Sequence, residues 1–600
     1  MTHLFPLLTA LLAASSVVAS PGAGYRVHGK RRCVAGSSAK ASGSSLSTGS
    51  DSAQQTSSVS SLSATSMATS SVATASGVDT SAPASSAGPG GNNVYVASGD
   101  VQVAGGPRVA AGNSSDNATV DPTASGSANG SSTNGPTNGT ATNATVPIPS
   151  GGSDANVTAA ESASAGRPVF AHYMVGLTSK FDQAAWEKEM TVAKSKGIDG
   201  FALNIGTDPY NDPQLTNAYA AAEKVGFKVF ISVDFNWYGT NDAAKVAAQL
   251  KNYISKSAQY MVDGKPLVSS FAGHDFNWKD CSAAAGTELY AVPNWLQDGG
   301  DNIQGAPGLG SGSPPEEVAR QGGEEMAKRG AKGLFSWHVW PGQQSNTPVD
   351  EKLGTADDEK YRTFVGNGTY MAGVSPWFFT HFGKEVPYSK NWLFKSETLW
   401  VDRWKDILAL GNKVNMLEIV SWNDYGESHY VGPLDTPWTS DGSDLWVKGM
   451  PHDAMLDLAG PFIKAFKAGA SEPTVDQEGI VYWYRPHLKD VNCDSTDNFG
   501  SKPTGWELVK DSVFVAAMTK SGGTVKVTSG GNAPVSLEAK GGVDVFEVPM
   551  GVGEQSFELT TTGGSASGKS NLTISDQCWE SRLGKVYNYN FYSGVLNVGA

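Results

Sequence analysis

An alternation of short apolar segments with amphipathic stretches starts at Arg167 and constrains the fold more than any other feature of the chain. Strands that alternate with helices form a parallel sheet, and eight of them in about 300 residues are typical of a (β/α)8, TIM-like barrel. The segments predicted as strands are Val169–Val175, Gly200–Ile205, Phe227–Phe235, Pro266–Ala272, Thr287–Trp295, Gly333–Pro341, Tyr370–Phe379 and Met416–Asp424. The predicted helices are Gln183–Lys196, Gln214–Val225, Asp242–Ser257, Glu316–Lys328, Glu397–Leu410 and Asp453–Lys467.

An open, doubly wound sheet is the alternative to the barrel. Such sheets usually carry a Gly-rich turn after their first strand, and Val175-Gly176-Leu177-Thr178 is not one. We therefore predict an α/β barrel over residues 166–474. From about Val475 the pattern changes to short β-rich runs between Gly, Asn and Pro turns, which predicts an antiparallel β-sandwich over residues 475–600. These runs are Val481–Arg485, Ser512–Met518, Thr524–Thr528, Val543–Val548, Ser556–Thr560 and Tyr587–Tyr592.

The N-terminal part of the chain predicts secretion rather than structure. Leu4–Ala19 is an apolar run followed by small residues, so residues 1–20 are predicted to be a signal peptide. Residues 21–165 are rich in Ser, Ala, Thr and Gly and lack the apolar periodicity that could offset chain entropy, which predicts disorder. The segment is either a glycosylated stalk or an unglycosylated tail, and Lys30-Arg31-Arg32 within it is either a processing site or a solvated basic patch. Its six N-glycosylation sequons are at Asn113, Asn117, Asn129, Asn138, Asn143 and Asn156.

Charge and cysteine content restrict the kinds of ligand, metal site and disulfide that the chain could have. The net charge is −14, and only 17% of residues are charged, which disfavours nucleic acid and permits a neutral polysaccharide. No later stretch has 18 uninterrupted apolar residues, so we expect no membrane association once the signal is cleaved. The four cysteines form no C-x-x-C pair, which disfavours structural zinc. Cys493 and Cys578 could form a disulfide within the C-terminal domain, and Cys281 is expected to be a buried free thiol.

Polar and aromatic residues follow the predicted strands, where the chemistry of such barrels is located. The carboxylates among them are Asp234, after the third strand, and Asp424 and Glu427, three residues apart after the eighth. Each could have a structural role, as a helix cap or a loop acceptor, but three at one predicted mouth favour catalysis. The predicted substrate-binding residues are His172, Asn204, Trp237, Trp337, His338, Trp377, Trp422, Tyr425, His429 and Tyr430.

Carboxylates beside aromatic rings suit glycoside hydrolysis. One carboxylic acid protonates the leaving oxygen, and a second carboxylate acts as a nucleophile or activates water. Aromatic rings stack on sugar faces, and burial against them raises the pKa of the acid. The nine histidines include no H-x-H or H-E-x-x-H motif, and neither a P-loop nor a nucleophile elbow is present. We therefore expect no metal and no cofactor.

Five blocks resemble the fungal α-1,3-glucanases, or mutanases, of glycoside hydrolase family 71: Phe170–Gly176, Gly197–Asn204, Val374–Phe378, Lys390–Trp392 and Ser421–Pro433. The likeness covers Arg167 to Arg485 in order and continues weakly into the C-terminal region. It implies a secreted, inverting endo-hydrolase of α-1,3-glucan from fungal walls or biofilm, without a cofactor. It places the catalytic carboxylates at Asp424 and Glu427 and an assisting acid at Asp234.

Two features depart from that resemblance, and two other functions remain open. His338 stands where the resemblance predicts Asn or Asp, and the insert Asp298–Pro315 is unusual. We expect Glu427 to be the acid, because burial between Tyr425 and Tyr430 should raise its pKa, and Asp424 to be the base. The alternatives are a catalytically silent glucan-binding wall protein and a retaining hydrolase or transglycosylase of another α-glucan. The protein is expected to be a monomer located outside the cell or in the cell wall.

Overall fold

The computed structural model describes residues 166–297, 300–301, 313–343, 346–384, 386 and 389–599. The predicted signal peptide, the predicted linker with its sequons and basic triplet, and Cys33 lie outside the described residues, as does most of the insert Asp298–Pro315. Within the described residues, no helix has both the length and the apolar character that a membrane span requires.

A curled parallel sheet forms the first part of the described chain. Its strands pair in the order β4-β3-β2-β1-β8-β7-β6, and β5 pairs with β4. Strands that are consecutive in the sequence therefore lie side by side in the sheet, and the last strand, β8, pairs with the first, β1. Alternating strands and helices predict such an order. The strands are β1 (Val169–Met174), β2 (Gly200–Ile205), β3 (Lys228–Asp234), β4 (Lys265–Phe271), β5 (Tyr290–Ala291), β6 (Gly333–Phe335), β7 (Thr369–Val374) and β8 (Met416–Ile419).

Helices separate most of these strands in the sequence. The side chain of Asp182 accepts a hydrogen bond from Ala185 N (2.9 Å) and caps α1. Gly226 ends α2 with a positive φ of 68°, a conformation that glycine adopts without strain. The helices of eight or more residues are α1 (Gln183–Ser195), α2 (Asn211–Val225), α3 (Ala243–Lys251), α4 (Trp278–Ala285), α5 (Pro315–Arg329), α6 (Ala356–Val365), α7 (Leu399–Leu410) and α8 (Ala454–Ala468). A four-residue helix, Asp444–Val447, lies between β8 and α8.

The strands read as continuous apolar runs because both faces of the sheet are buried. Successive side chains of a strand point to opposite faces. Phe170 accordingly belongs to one hydrophobic cluster, with Phe230 and Leu267, whereas its neighbour Ala171 belongs to another, which also contains Trp186 of α1. One cluster thus fills the concave side of the sheet, and the other joins the sheet to the helices.

Several elements are shorter than predicted. The predicted strands Met416–Asp424 and Tyr370–Phe379 are shortened to β8 and β7, and the predicted helix Asp242–Ser257 is shortened to α3. The predicted strand Gly333–Pro341 keeps only three residues in β6, and Thr287–Trp295 keeps only two in β5. Trp337 and Trp340, which extended the apolar pattern, are buried in a loop rather than in a strand. Helices α4 and α6 were not predicted, because α4 has only eight residues and α6 begins with the polar sequence Ala-Asp-Asp-Glu.

Two four-stranded antiparallel sheets form the C-terminal part. One has the order β13-β10-β9-β16 and the other β12-β11-β14-β15. Side chains from both sheets, including Tyr482 and Phe557 with ring centroids 4.0 Å apart, share one hydrophobic cluster. The strands are β9 (Gly479–Tyr484), β10 (Ser512–Thr519), β11 (Gly523–Ser529), β12 (Val535–Ala539), β13 (Gly542–Pro549), β14 (Gln555–Thr561), β15 (Gly564–Lys569) and β16 (Tyr592–Asn597).

The cysteines of the described chain follow the sequence interpretation. Cys493 and Cys578 form a disulfide, with their Cα atoms 5.8 Å apart. Cys281, on α4, is fully buried as a free thiol.

The C-terminal part packs directly on the parallel-sheet part. Trp483 of β9 lies in the same hydrophobic cluster as Trp404 of α7, and its indole N–H donates to Glu397 O (2.7 Å). The segment Tyr589–Phe591, just before β16, also faces the parallel-sheet part, because Trp377 donates to Tyr589 O (3.0 Å). The two parts therefore share one core.

Candidate active site

The loop Ser421–Tyr430 follows β8 and is buried throughout. Ser421 N donates to His429 O (2.9 Å), so the two ends of the loop lie side by side. Within the loop, Asp424 N donates to Ser421 Oγ (2.8 Å), and Glu427 N donates to Asp424 Oδ1 (3.1 Å). These bonds hold both predicted catalytic carboxylates on one tight turn at the carboxyl end of the sheet.

Asp424 keeps one carboxylate oxygen free of protein donors. The residue is only 4% exposed, and within the described residues Asp424 Oδ2 has no hydrogen-bond partner. His429 Nε2 lies 3.6 Å from Asp424 Oδ2. Burial raises the pKa of Asp424 to about 6, and the charge of Glu427 acts in the same direction, against His429. The raised pKa favours the protonated form of Asp424 more than an exposed aspartate would.

Glu427 has the opposite environment. Lys390 Nζ donates to Glu427 Oε1 at 2.5 Å, and His429 Nε2 lies 3.1 Å from Glu427 Oε2. Burial acts to raise the pKa of Glu427, but the Lys390 ammonium and His429 together outweigh it and hold the pKa below its usual value. The expectation that burial would raise the pKa of Glu427 is therefore not met.

Lys390 escaped the sequence-based search for functional residues. It lies in a short antiparallel hairpin, Phe379–Phe382 paired with Lys390–Leu393, and its side chain is only 1% exposed. A buried lysine ammonium needs an anionic partner, and for Lys390 that partner is the Glu427 carboxylate. The only sequence signal was its place in the resemblance block Lys390–Trp392, which carried no statement about charge.

Asp441 is a second residue that the sequence-based search missed. Its charge raises the pKa of Asp424, and burial raises the pKa of Asp441 itself. A Cβ built on Gly426 would lie 2.9 Å from Asp441 Oδ2, so the Asp441 side chain lies against the turn that carries Asp424 and Glu427. A lone Asp in the polar run that follows β8 gave no sequence signal.

The donor types of this cluster match those of a metal site. Asp424, Glu427 and His429 each offer one potential ligand atom, and these atoms lie within 4.8 Å of one another. The Lys390 ammonium, however, already neutralises Glu427 and would repel a divalent cation at this distance. The arrangement suits an acid–base pair better than a metal centre.

Asp234 ends β3 and lies in a different group of residues. Its Oδ1 accepts from Asn236 N (3.0 Å), and its carboxylate is hydrogen-bonded to Asn204, also a predicted site residue. Burial raises the pKa of Asp234 to about 7, and the charge of Asp208 acts in the same direction. Within the described residues, no hydrogen bond or ion pair joins Asp234 to the turn that carries Asp424.

His172, Trp337 and His338 lie at other points of the sheet. His172 Nδ1 lies 2.7 Å from Glu418 Oε1, and its ring packs edge-on against Trp337 at 4.8 Å. His338 Nδ1 lies 2.6 Å from Asp357, and this pair lines a separate pocket of about 290 Å³.

Three predicted sugar-binding aromatics have their polar atoms satisfied inside the protein. Trp422 donates to buried Glu189 of α1, on the helix side of the sheet. Trp377 donates to Tyr589 O, as described above, and the Tyr430 hydroxyl donates to Met450 O at 2.5 Å. Their role in binding stays a prediction.

Two more predicted binding residues, Tyr425 and His429, belong to the same loop as the two predicted catalytic carboxylates. Tyr425 is buried against Trp438, with ring centroids 4.2 Å apart, and against Tyr430. His429 lies beside both predicted catalytic carboxylates and packs 5.0 Å from the ring of Trp340. Of the predicted binding residues, His429 is thus the one that the structure brings to the carboxylate pair.

Comparison with known proteins gives a consistent result. Residues 165–600 match the family described as glycosyl hydrolase family 71. A mutanase of Penicillium rubens is 40% identical over 433 residues, which cover 72% of this chain and 89% of that protein. The glucan endo-1,3-alpha-glucosidase agn1 of Schizosaccharomyces pombe is 34% identical over 450 residues, or 72% of this chain and 95% of that protein. An ascus wall endo-1,3-alpha-glucanase of the same yeast is 28% identical over 406 residues, covering 64% and 86%.

Proposed function

The chain belongs to glycosyl hydrolase family 71, and on this premise we propose that it hydrolyses α-1,3-glucan at internal linkages. The observation that carries the proposal is the buried carboxylate pair Asp424 and Glu427 on one turn, held in different charge environments. Glycoside hydrolysis needs two carboxyl groups whose pKa values are pushed apart. The substrate named for the relatives supports α-1,3-glucan as the polymer.

The charges around the pair favour Asp424 as the acid and Glu427 as the base, the reverse of the order expected from the sequence. Asp424 has a raised pKa and a free oxygen that could face the glycosidic oxygen. Glu427 is kept ionised by Lys390 and could accept a proton from water. Asp234 assists from β3 through the group that includes Asn204.

We propose inversion, on the basis of the family resemblance. One observation favours the retaining alternative: an oxygen of Asp424 and an oxygen of Glu427 lie within 4.8 Å of each other. Carboxyl groups stand roughly 6.5–9.5 Å apart in inverting enzymes and about 5–5.5 Å apart in retaining ones. Proton NMR of fresh product distinguishes the two, since inversion releases the β-anomer first from an α-linked substrate. Initial release of the α-anomer would establish retention.

The activity itself is tested on insoluble α-1,3-glucan, with starch and β-1,3-glucan as comparison substrates. We expect product from α-1,3-glucan, and a loss of turnover of at least about 10²-fold in Asp424→Asn and in Glu427→Gln, with binding retained. Glu472→Gln is the matched control, because Glu472 is exposed in the segment after α8. Release from starch alone, or from no substrate, would remove the proposal. Release from starch alone would favour a hydrolase of another α-glucan, and release from no substrate would favour a binding protein without activity.

We also propose that the parallel sheet closes into a complete (β/α)8 barrel. Two isolated parallel bridges, Ala291–Ala331 and Asn294–Phe335, support closure between the β5 and β6 segments, and Lys332 N donates to Ala291 O (2.8 Å). The shared cluster of the C-terminal sheets supports a β-sandwich. The predicted signal peptide supports secretion to the exterior or the wall.

A further inference from the structure

Asp208 is a buried carboxylate that the proposed reaction does not use. It lies in the loop between β2 and α2 and is 7% exposed, and neither carboxylate oxygen accepts a hydrogen bond of normal geometry from the described residues. Its own backbone N–H approaches the carboxylate. The Tyr210 hydroxyl approaches it, but that hydroxyl donates its single proton to Gly176 O (2.8 Å). Burial raises the pKa of Asp208 to about 6. A carboxylate in this environment is costly unless a donor completes it.

Two further polar atoms beside Asp208 lack partners among the described residues. They are the indole Nε1 of Trp237, in the loop after β3, and Oδ1 of Asn211, at the start of α2. A Cβ built on Gly206 would lie 3.0 Å from Trp237 Cδ1 and 3.4 Å from Asp208 Oδ2. Trp237 and Asp208 therefore both lie against the Gly206 backbone, and the absence of a side chain at Gly206 lets them approach it closely.

The position of this group relates it to the substrate. Asp208 is close enough to Asp234 for its charge to raise the pKa of Asp234, and both residues follow strands at the carboxyl edge of the sheet. That edge also carries the catalytic turn after β8. The unpartnered atoms comprise acceptors and one indole donor, beside an aromatic ring. A sugar matches this set, because its hydroxyl groups donate to carboxylates and its oxygens accept from an indole N–H.

We propose that Asp208 is a substrate-binding residue whose carboxylate accepts hydrogen bonds from hydroxyl groups of a glucosyl unit held beside Trp237. The proposal rests on the proposed function, because it names how that substrate is held. Trp237 supplies an N–H donor to an oxygen of the same unit. Asn211 supplies a second acceptor through its free Oδ1.

The test uses Asp208→Asn, which keeps the size of the side chain and removes its charge. A hydrogen bond to a charged group is worth more than a neutral one, so we expect KM for soluble α-1,3-linked oligosaccharides to rise about 10-fold or more, with kcat changed less than about threefold. In an Asp424→Asn background, binding to insoluble α-1,3-glucan should fall by a similar factor. Asp263→Asn is the matched control, since Asp263 is exposed before β4, at the opposite edge of the sheet.

Thermal unfolding separates binding from a structural role. Removing an unpartnered buried charge should leave the melting temperature of Asp208→Asn unchanged or higher, whereas loss of a structural contact would lower it. An active enzyme whose KM and glucan binding are unaffected by Asp208→Asn would overturn this inference and leave the proposed function intact. A calcium-dependent rise in melting temperature in the parent protein but not in Asp208→Asn would also overturn it, in favour of a cation site. Wild-type protein without activity on α-1,3-glucan would remove the proposed function and the substrate named here.

Discussion

Replacing Lys390 with methionine should move the pH dependence of the enzyme, because Lys390 sets the charge state of Glu427. The variant keeps most of the side-chain volume and removes a cation 2.5 Å from Glu427 Oε1. At an effective dielectric constant of 20, Coulomb's law gives about 7 kcal/mol for this contact, or about 5 pKa units as an upper bound. His429 also contacts Glu427 and retains part of the effect. We therefore expect the pKa of Glu427 to rise by at least about 2 units.

The pH dependence of activity in Lys390→Met should show whether Glu427 is the acid or the base. If Glu427 is the base, kcat/KM of Lys390→Met at pH 5 should fall by at least about 10-fold and recover as the pH rises, because Glu427 must be ionised to act. If Glu427 is the acid, its raised pKa moves the alkaline limb of the profile to higher pH, and activity at neutral pH rises. The profile thus reports the acid–base order directly.

The stability of the two proteins should diverge with pH. In the wild type the lowered pKa of Glu427 contributes stability above the unfolded-state pKa, and this is lost as the pH falls through the folded-state pKa. In Lys390→Met the raised pKa reverses the sign, so stability falls as the pH rises from the unfolded-state value through the new one. The difference in melting temperature should be small at pH 4 and reach the equivalent of about 3–5 kcal/mol at pH 7.

Lys188→Met is the control for Lys390→Met, because Lys188 forms a surface ion pair with Asp435 that is about half exposed. It should change neither the pH profile nor the melting temperature by a measurable amount. A Lys390→Met enzyme whose pH limbs coincide with those of the wild type, and whose loss of melting temperature is the same at pH 4 and pH 7, would refute the assigned role of Lys390.

Three further expectations follow from the structure. Truncation before Val475 should give insoluble protein, because it exposes the apolar surface around Trp404 that β9 covers; a soluble, fully active truncated protein would contradict this. EDTA should change activity less than about twofold, since Lys390 neutralises Glu427; a loss reversed by a divalent cation would show a metal site. Asp234→Asn should lower turnover. It should also raise the melting temperature at pH 8 but not at pH 4. With a pKa of about 7, ionising buried Asp234 above neutrality destabilises the fold by up to about 4 kcal/mol, and asparagine removes this cost. Equal melting temperatures at pH 8 would show that Asp234 is stabilised by contacts that the pKa does not reflect.

The alternation of strands and helices could be predicted because both faces of the sheet are buried, so each strand appears as an unbroken apolar run. Loop aromatics imitate such runs, which is why β6 was predicted too long. The turn that carries Asp424 and Glu427 could be predicted as a unit because its residues adjoin in sequence and Glu427 N donates to Asp424 Oδ1. Residues brought in from distant segments, such as Lys390, leave no local pattern. The pKa order of the pair depends on such residues, and the sequence alone therefore could not determine it.

The segment Tyr589–Phe591 supports the turn that carries Asp424 and Glu427 but is synthesised later than that turn. Asn590 donates to the Tyr430 hydroxyl (3.1 Å), and His452, which lies 2.9 Å from Tyr430 O and 2.9 Å from Phe591 O, stacks between the rings of Tyr430 and Phe591. At about 5–20 residues per second, a ribosome synthesises this supporting segment about 8–30 s after the turn itself. A nascent chain can thus form its early strands in order of synthesis, but the turn with Asp424 and Glu427 reaches its final packing only after translation has passed Phe591.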